Sequence, residues 1–207
     1  MTTAVDIQFE QACTQPSDIY EHVPVLRALS THCDSVIELG VRTMVSTWGV
    51  LKGLSENNTV QQQKRYIGVD LCKPPADKME LAEQICRDHQ IEFTFLVQND
   101  LEVDIALLQK VDLLFIDALH QYKHVTAELE KYHVLCNKYI AFHDTSSPWG
   151  ESDEPSYGEN GSVYPEWIDS TKQGVWEAVI DFMGCHPEWS LQERRLNNHG
   201  FTILEKV

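Results

Sequence analysis

The sequence predicts an α/β protein: a doubly wound, mostly parallel seven-stranded sheet with helices on both faces and a C-terminal antiparallel hairpin. Three observations carry that expectation. Short apolar runs alternate with stretches of helical periodicity, the pattern of a parallel sheet covered on both sides. One run, Val111 to Asp117, is continuously apolar, as a central strand buried on two faces must be. Two last strand-like runs flank Asn197-Asn198-His199-Gly200, residue types that tolerate the backbone of a tight turn.

The elements follow in order. Residues 1–33 read as an N-terminal helical segment, in which Pro24 sits near a first turn and Val25, Leu26 and Leu29 face inward. Ser35 to Gly40 is the first strand, and a helix runs from about Val45 to Leu54. Arg65 to Asp70 is the second strand; Pro74-Pro75 punctuates the turn, and Met79, Ala82, Ile85 and Cys86 return to helical spacing. Glu92 to Val97 is the third strand and Val111 to Asp117 the fourth. A helix from Tyr122 to Leu135 leads to the fifth strand, Tyr139 to Phe142. Gly174 to Cys185 is the last helix, and Trp189–Arg195 and Gly200–Lys206 form the closing pair. Between them lies an acidic, lid-like insertion, residues 145–171, with six carboxylates and no Lys or Arg. One domain covering 1–207 is the expected organisation.

Composition narrows the function classes. Of 207 residues, 16 are Lys or Arg and 32 Asp or Glu, a formal charge of −16 with a pI near 4.8. Nucleic acid and anionic membranes are excluded as partners, because both need a basic surface. A hydrophobic share of 43% suffices for a core, and no run approaches the length of a membrane span. Six scattered cysteines without a C-x-x-C pair read as reduced thiols, and no signal-peptide pattern opens the chain; both point to the cytoplasm.

The chemistry collects at the carboxyl ends of the strands, where open α/β sheets bind ligands. Glu38, Asp70, Asn99-Asp100, Asp117 and His143-Asp144 stand there in succession, a ring of acceptors around one crevice. In Glu38-Leu39-Gly40-Val41-Arg42-Thr43-Met44-Val45-Ser46, a carboxylate precedes a Gly at a strand-to-helix turn. Arg42 and Val45 occupy the second and third glycine positions of a dinucleotide fingerprint, which disfavours a pyrophosphate. A cofactor with an ammonium and a sulfonium suits Glu38 better. Asp117 and Asp144 close neighbouring strands, so their carboxylates can meet with His120 or His143. Two carboxylates suit Mg2+; an added imidazole tilts the choice to Mn2+ or Fe2+.

These segments resemble class I S-adenosylmethionine-dependent methyltransferases. They are most similar to the metal-assisted small-molecule O-methyltransferase and cephalosporin-hydroxylase-like group. VIELGVRTMVST, YIGVDL, VDLLFIDALHQYKHVTAELEKY, YIAFHDT and WSLQERRLNNHGFTILEK carry the likeness, which spans roughly Asp18 to Lys206. It implies a Rossmann-like sheet and O-methylation of a small molecule or sugar hydroxyl with divalent-metal help. By position, the resemblance assigns Glu38 and Gly40 to the methionine end of S-adenosylmethionine and places Ser46 by its carboxylate. Asp70 would accept both ribose hydroxyls, and Asn99 or Asp100 would reach the adenine amine. Asp117 would orient the cofactor and, with His143 and Asp144, hold the metal; His120 would be the general base near neutral pH. Relatives often carry Glu at the position of His143 and Gly at Met44-Val45.

Other residues receive plainer readings. His124, His133, His186 and His199 are expected at the surface, and Trp48 in the core or the pocket wall. Trp149, Tyr157, Tyr164 and Trp167 lie in the acidic segment, where they can close over substrate, pin the loop, or bury a homo-oligomer contact. Two further classes stay open: an NAD-linked oxidoreductase on a related fold, and a non-catalytic cofactor-binding module acting through the acidic segment.

Overall fold

The computed structural model describes residues 2–58, 63–155 and 162–207. Seven strands form one sheet in the order β3-β2-β1-β4-β5-β7-β6. These are β1 (Ser35–Leu39), β2 (Lys64–Asp70), β3 (Ile91–Val97), β4 (Val111–Ile116), β5 (Cys136–His143), β6 (Trp189–Arg195) and β7 (Phe201–Lys206). The first five are mutually parallel, whereas β7 runs antiparallel to both β5 and β6. The order reverses between β1 and β4, so the crevice at their carboxyl ends is the topological switch point.

Helices form where local signals agree. The helix α1 (Ala4–Thr14) begins with a capping box, Thr3 accepting from the Asp6 amide and Asp6 from the Thr3 amide. Pro24 opens α2 (Val23–Ser30), and Pro75 precedes α4 (Ala76–Asp88). The helix α3 (Val45–Glu56) starts from a left-handed Met44 and has no side-chain cap, which leaves first-turn N–H groups free for an anion. The remaining helices are α5 (Tyr122–Tyr132) and α6 (Val175–Cys185).

Strand alternation splits the core in two. Val36, Tyr66, Leu113, Phe115 and Ala141 face α1 to α4, while Ile37, Leu39, Leu114, Ile116, Ile140 and Phe142 face α5 and α6. Trp48 is buried in the first of these layers. Some boundaries move. The N-terminal segment divides into two helices, and β5 starts at Cys136 because a 3-10 turn, His133–Leu135, ends the preceding helix early. No helix among the described residues is long and apolar enough to cross a membrane. All six cysteines are free thiols.

Candidate active site

The crevice begins at the turn after β1. Gly40 has φ +82°, and a Cβ there would overlap the carbonyl oxygen of Asp117, so glycine alone lets β1 and β4 end side by side. Arg42 (φ 46°) and Met44 (φ 67°) are also left-handed, a strain these side chains ordinarily avoid. Two features offset it. The Met44 side chain is wholly buried in the core, and Asp70 Oδ2 accepts the amides of Val41 at 2.9 Å and Arg42 at 2.8 Å.

That grip corrects the expectation for Asp70. Its Oδ1 also accepts the Cys72 amide at 2.8 Å. A carboxylate offers about four acceptor directions. Three are taken by backbone, so Asp70 has room for one further hydroxyl rather than both of a ribose.

Glu38 lies 0% exposed on the α1-to-α4 side of the sheet. Ser46, Thr47 and Tyr66 each donate a hydroxyl to it, Thr47 at 2.9 Å. Burial pushes its carboxyl up to about 7 despite these donors. Glu38 therefore reaches the crevice only through Ser46. When Glu38 is ionised, Ser46 has spent its single proton; it can accept from an ammonium but has none to give a cofactor carboxylate. The expected partner of Ser46 is thus the other end of the methionine group.

The second constellation assembles as the sequence suggested, with one addition. The His143 Nδ1 atom lies 3.2 Å from Asp117 Oδ1 and 2.8 Å from Asp144 Oδ2. Its Nε2 is 3.0 Å from the carbonyl of Asn198. A carbonyl only accepts, so Nε2 donates to it and Nδ1 faces the two carboxylates, which favour a proton there as well. His120 Nε2 stands 3.2 Å from Asp117 and 3.1 Å from Asp144, and its Nδ1 is 2.9 Å from Glu154 Oε2. Asp144 adopts a left-handed φ of 56° to enter this group.

The electrostatics follow from packing. Burial alone would raise Asp117, but the charges and hydrogen bonds of His143 and His120 outweigh it and hold the carboxyl near 2. Burial likewise works against a charged His120, yet Asp117, Glu154 and Asp144 prevail and push it up to about 10. His143 is raised well above the usual imidazole range for the same reason. His120 surrounded by three acids is an imidazolium, not the neutral base expected at neutral pH.

The turn after β3 is arranged differently from the adenine contact foreseen. Asn99 is buried, its Oδ1 accepting the Leu101 amide and its Nδ2 donating to Ser162 at 2.9 Å. Asp100 turns towards α5, where His124 Nε2 lies 3.2 Å away. His124 is not at the surface: it is 2% exposed, because α5 packs this face against the turn. His133, His186 and His199 are half-buried; His199 Nδ1 comes within 4.0 Å of Asp144.

In the acidic segment, Asp153 accepts the amides of Tyr122 and Gly174, Tyr164 meets His124, and Trp167 stays exposed. Tyr157 falls outside the described residues. Sequence reasoning missed Thr47 and Tyr66 beside Glu38, Glu154 beside His120, and His22, which donates to the Asn197 carbonyl at 2.9 Å. Thr47 follows Ser46 directly and was within reach of local reasoning. The pairing of His22 with a turn 175 residues away was not.

A methyltransferase-domain family model matches residues 37–145, more than half of the chain and all of the elements just described except the closing strands and the flanking helices. No curated protein sequence matches it. Among solved structures, a SAH-bound methyltransferase from Podospora anserina aligns with TM-score 0.57 at 10% identity, over 100% of this chain and 89% of that one. A Bacillus cereus O-methyltransferase in complex with SAH aligns with TM-score 0.58 at 15% identity, over 99% and 90%. A TDP-rhamnose 3'-O-methyltransferase of calicheamicin biosynthesis gives TM-score 0.58 at 13% identity, over 98% and 92%. At such identities the likeness establishes the fold.

Proposed function

This chain belongs to the methyltransferase-domain family, a class I S-adenosylmethionine-dependent enzyme, and from that premise we propose that it methylates a hydroxyl of a small molecule or sugar with divalent-metal help. The observation that carries the metal is the His143 ring. With Nε2 donating to the Asn198 carbonyl, Nδ1 faces two carboxylates at hydrogen-bonding distance and shares a proton with them in the ion-free ring. Without a proton on Nδ1 that arrangement is repulsive, and a cation in place of the proton turns three acceptors into three ligands. A metal-bound imidazole typically donates its other N–H to a carbonyl or carboxylate, as this ring does. Asp117, His143 and Asp144 are therefore the proposed ligands, and Mn2+ or Fe2+ suits the mixed set better than Mg2+.

When bound, S-adenosylmethionine supplies the methyl group and the cation lowers the pKa of the acceptor hydroxyl. The chain's own residues do the rest. His120 sits beside both proposed metal ligands, and a cation held by Asp117 and Asp144 would weaken the hold that keeps it protonated. Glu154 then orients the ring through Nδ1, leaving Nε2 to take the hydroxyl proton. The uncapped first turn of α3 can receive the cofactor carboxylate, Ser46 its ammonium and Asp70 one ribose hydroxyl. The acidic segment, already anchored through Asp153 and Glu154, is placed to exclude water as a lid.

Chelator-stripped protein, re-supplied with Mn2+ and offered S-adenosylmethionine with a panel of sugars and catechols, tests the reading. Asp144→Asn should lower metal-dependent turnover about 100-fold while cofactor affinity changes little. Turnover unaffected by chelator and by Asp144→Asn would remove the metal role, and calorimetric binding of NAD in preference to S-adenosylmethionine would remove the whole reading.

A further inference from the structure

A second imidazole–dicarboxylate cluster lies beneath the turn after β3, apart from the proposed catalytic group. His124 and Glu128 stand one turn apart on α5 and share a face. Asp100 reaches them from the 3-10 turn Asp100–Glu102. His124 Nε2 lies 3.2 Å from Asp100 and 3.8 Å from Glu128 Oε1, and one ligand atom from each residue falls within 4.8 Å of the others. His124 Nδ1 is 3.1 Å from the Tyr164 hydroxyl, so a proton on Nδ1 leaves the Nε2 lone pair facing both acids.

Glu128 is the residue that points to a ligand. It is 0% exposed, and neither of its oxygens receives a hydrogen bond from a neutral donor or a lysine. Lys131 donates to the Leu101 carbonyl at 2.6 Å, and Lys123 lies over the Tyr164 ring; among the described residues the one basic group facing it is His124, 3.8 Å away. Burial first, then the charge of Asp100 and a hydrogen bond to it, raise the Glu128 carboxyl well above the usual range, so in the ion-free cluster a proton shared with Asp100 stands where a cation would. A buried acid without a donor is disfavoured unless it holds a proton or a cation. The ligand type favours one class of ion: an imidazole with two carboxylates suits Zn2+, whose tetrahedral ligands at about 2.0–2.1 Å lie roughly 3.3 Å apart, near the 3.2 and 3.8 Å separations from His124.

We propose that Asp100, His124 and Glu128 form a second metal site for a divalent ion of the Zn2+ class, which ties the turn after β3 to α5. Three protein ligands hold the ion, a water completes the four-coordinate set, and the turn carrying Asn99 is braced from below. It stands independently of the catalytic reading, since none of its residues belongs to the Asp117 cluster.

The full-length protein is stripped with chelator, dialysed and titrated with ZnCl2 in the Asp144→Asn background, which takes one of the three proposed ligands from the other cluster. One equivalent of Zn2+ per chain should remain, with a rise in Tm, and both should vanish on adding Glu128→Gln. Co2+ substituted into the Asp144→Asn protein should give the intense visible bands of a four-coordinate ion, a readout that leaves the cluster unaltered. The proposal is overturned if Asp144→Asn takes up no Zn2+ or if Co2+ shows only weak six-coordinate bands. It is overturned equally if the equivalent survives Glu128→Gln but disappears with His186→Ala, which would place the ion at Glu130, His133 and His186.

Discussion

Two glutamates in this protein have the same exposure and opposite surroundings. Glu38 and Glu128 are both 0% exposed, one on each side of the sheet. Glu38 receives three hydroxyls, and burial pushes its carboxyl up to about 7; Glu128 receives none and is raised well above the usual carboxylate range. Burial is common to both, so the difference lies in the neighbours: three hydroxyl donors lower Glu38, whereas the adjacent Asp100 carboxylate raises Glu128. A desolvated carboxylate with donors remains close to ionisation at neutral pH, and one without them keeps its proton until a cation displaces it.

The comparison can be broken most forcefully at Glu128. Its folded-state pKa lies above the unfolded value, so the folded chain holds a proton the unfolded chain has released. Stability contributed by that proton is complete below about pH 4.5 and falls as pH rises, by at most about 1.4 kcal/mol per pH unit. Denaturant unfolding of chelator-treated protein should therefore show Glu128→Gln gaining on the parent as pH rises above 5. A difference independent of pH would mean that Glu128 is ionised in the folded state.

Removing the acceptor at Glu38 comes next. Glu38→Ala leaves the hydroxyls of Ser46, Thr47 and Tyr66 buried around a void and should cost about 3 kcal/mol in urea unfolding. Glu38→Gln keeps the shape and tests the charge. Its stability should gain on the parent by about 2 kcal/mol from pH 5 to pH 7, then run parallel to it, because Glu38 is ionised in both states above its folded pKa near 7. The smallest change is Tyr66→Phe, which withdraws one donor. It should cost about 1 kcal/mol and move the break for Glu38 to higher pH, read from the same unfolding series.

Legibility in the sequence tracked distance along the chain. The parallel strands were readable because each is a local apolar run, and the helices because their periodicity and prolines are local too. Asp117 and Asp144 were found at strand ends, and the topology then brought them together with His120 and His143. The misjudged residues share one property: their environment comes from an element far away. His124 looks like a surface helical histidine until Asp100 and Tyr164 cover it. Asp70 looks like a free strand-end acid until the loop after β1 folds its amides onto it. His120 looks like a neutral base until Glu154 adds a third acid.

By itself the chain of residues determined the parallel sheet with its antiparallel closure and the ring of acids at the strand ends. Those features arise from short-range alternation of apolar and polar groups. Tertiary packing decided the protonation of each acid and imidazole, since a pKa depends on which charges and donors lie within a few ångströms and on how much water is excluded. It also decided which nitrogen of His143 faces inward, because the carbonyl that holds the ring comes from Asn198, a turn 55 residues later.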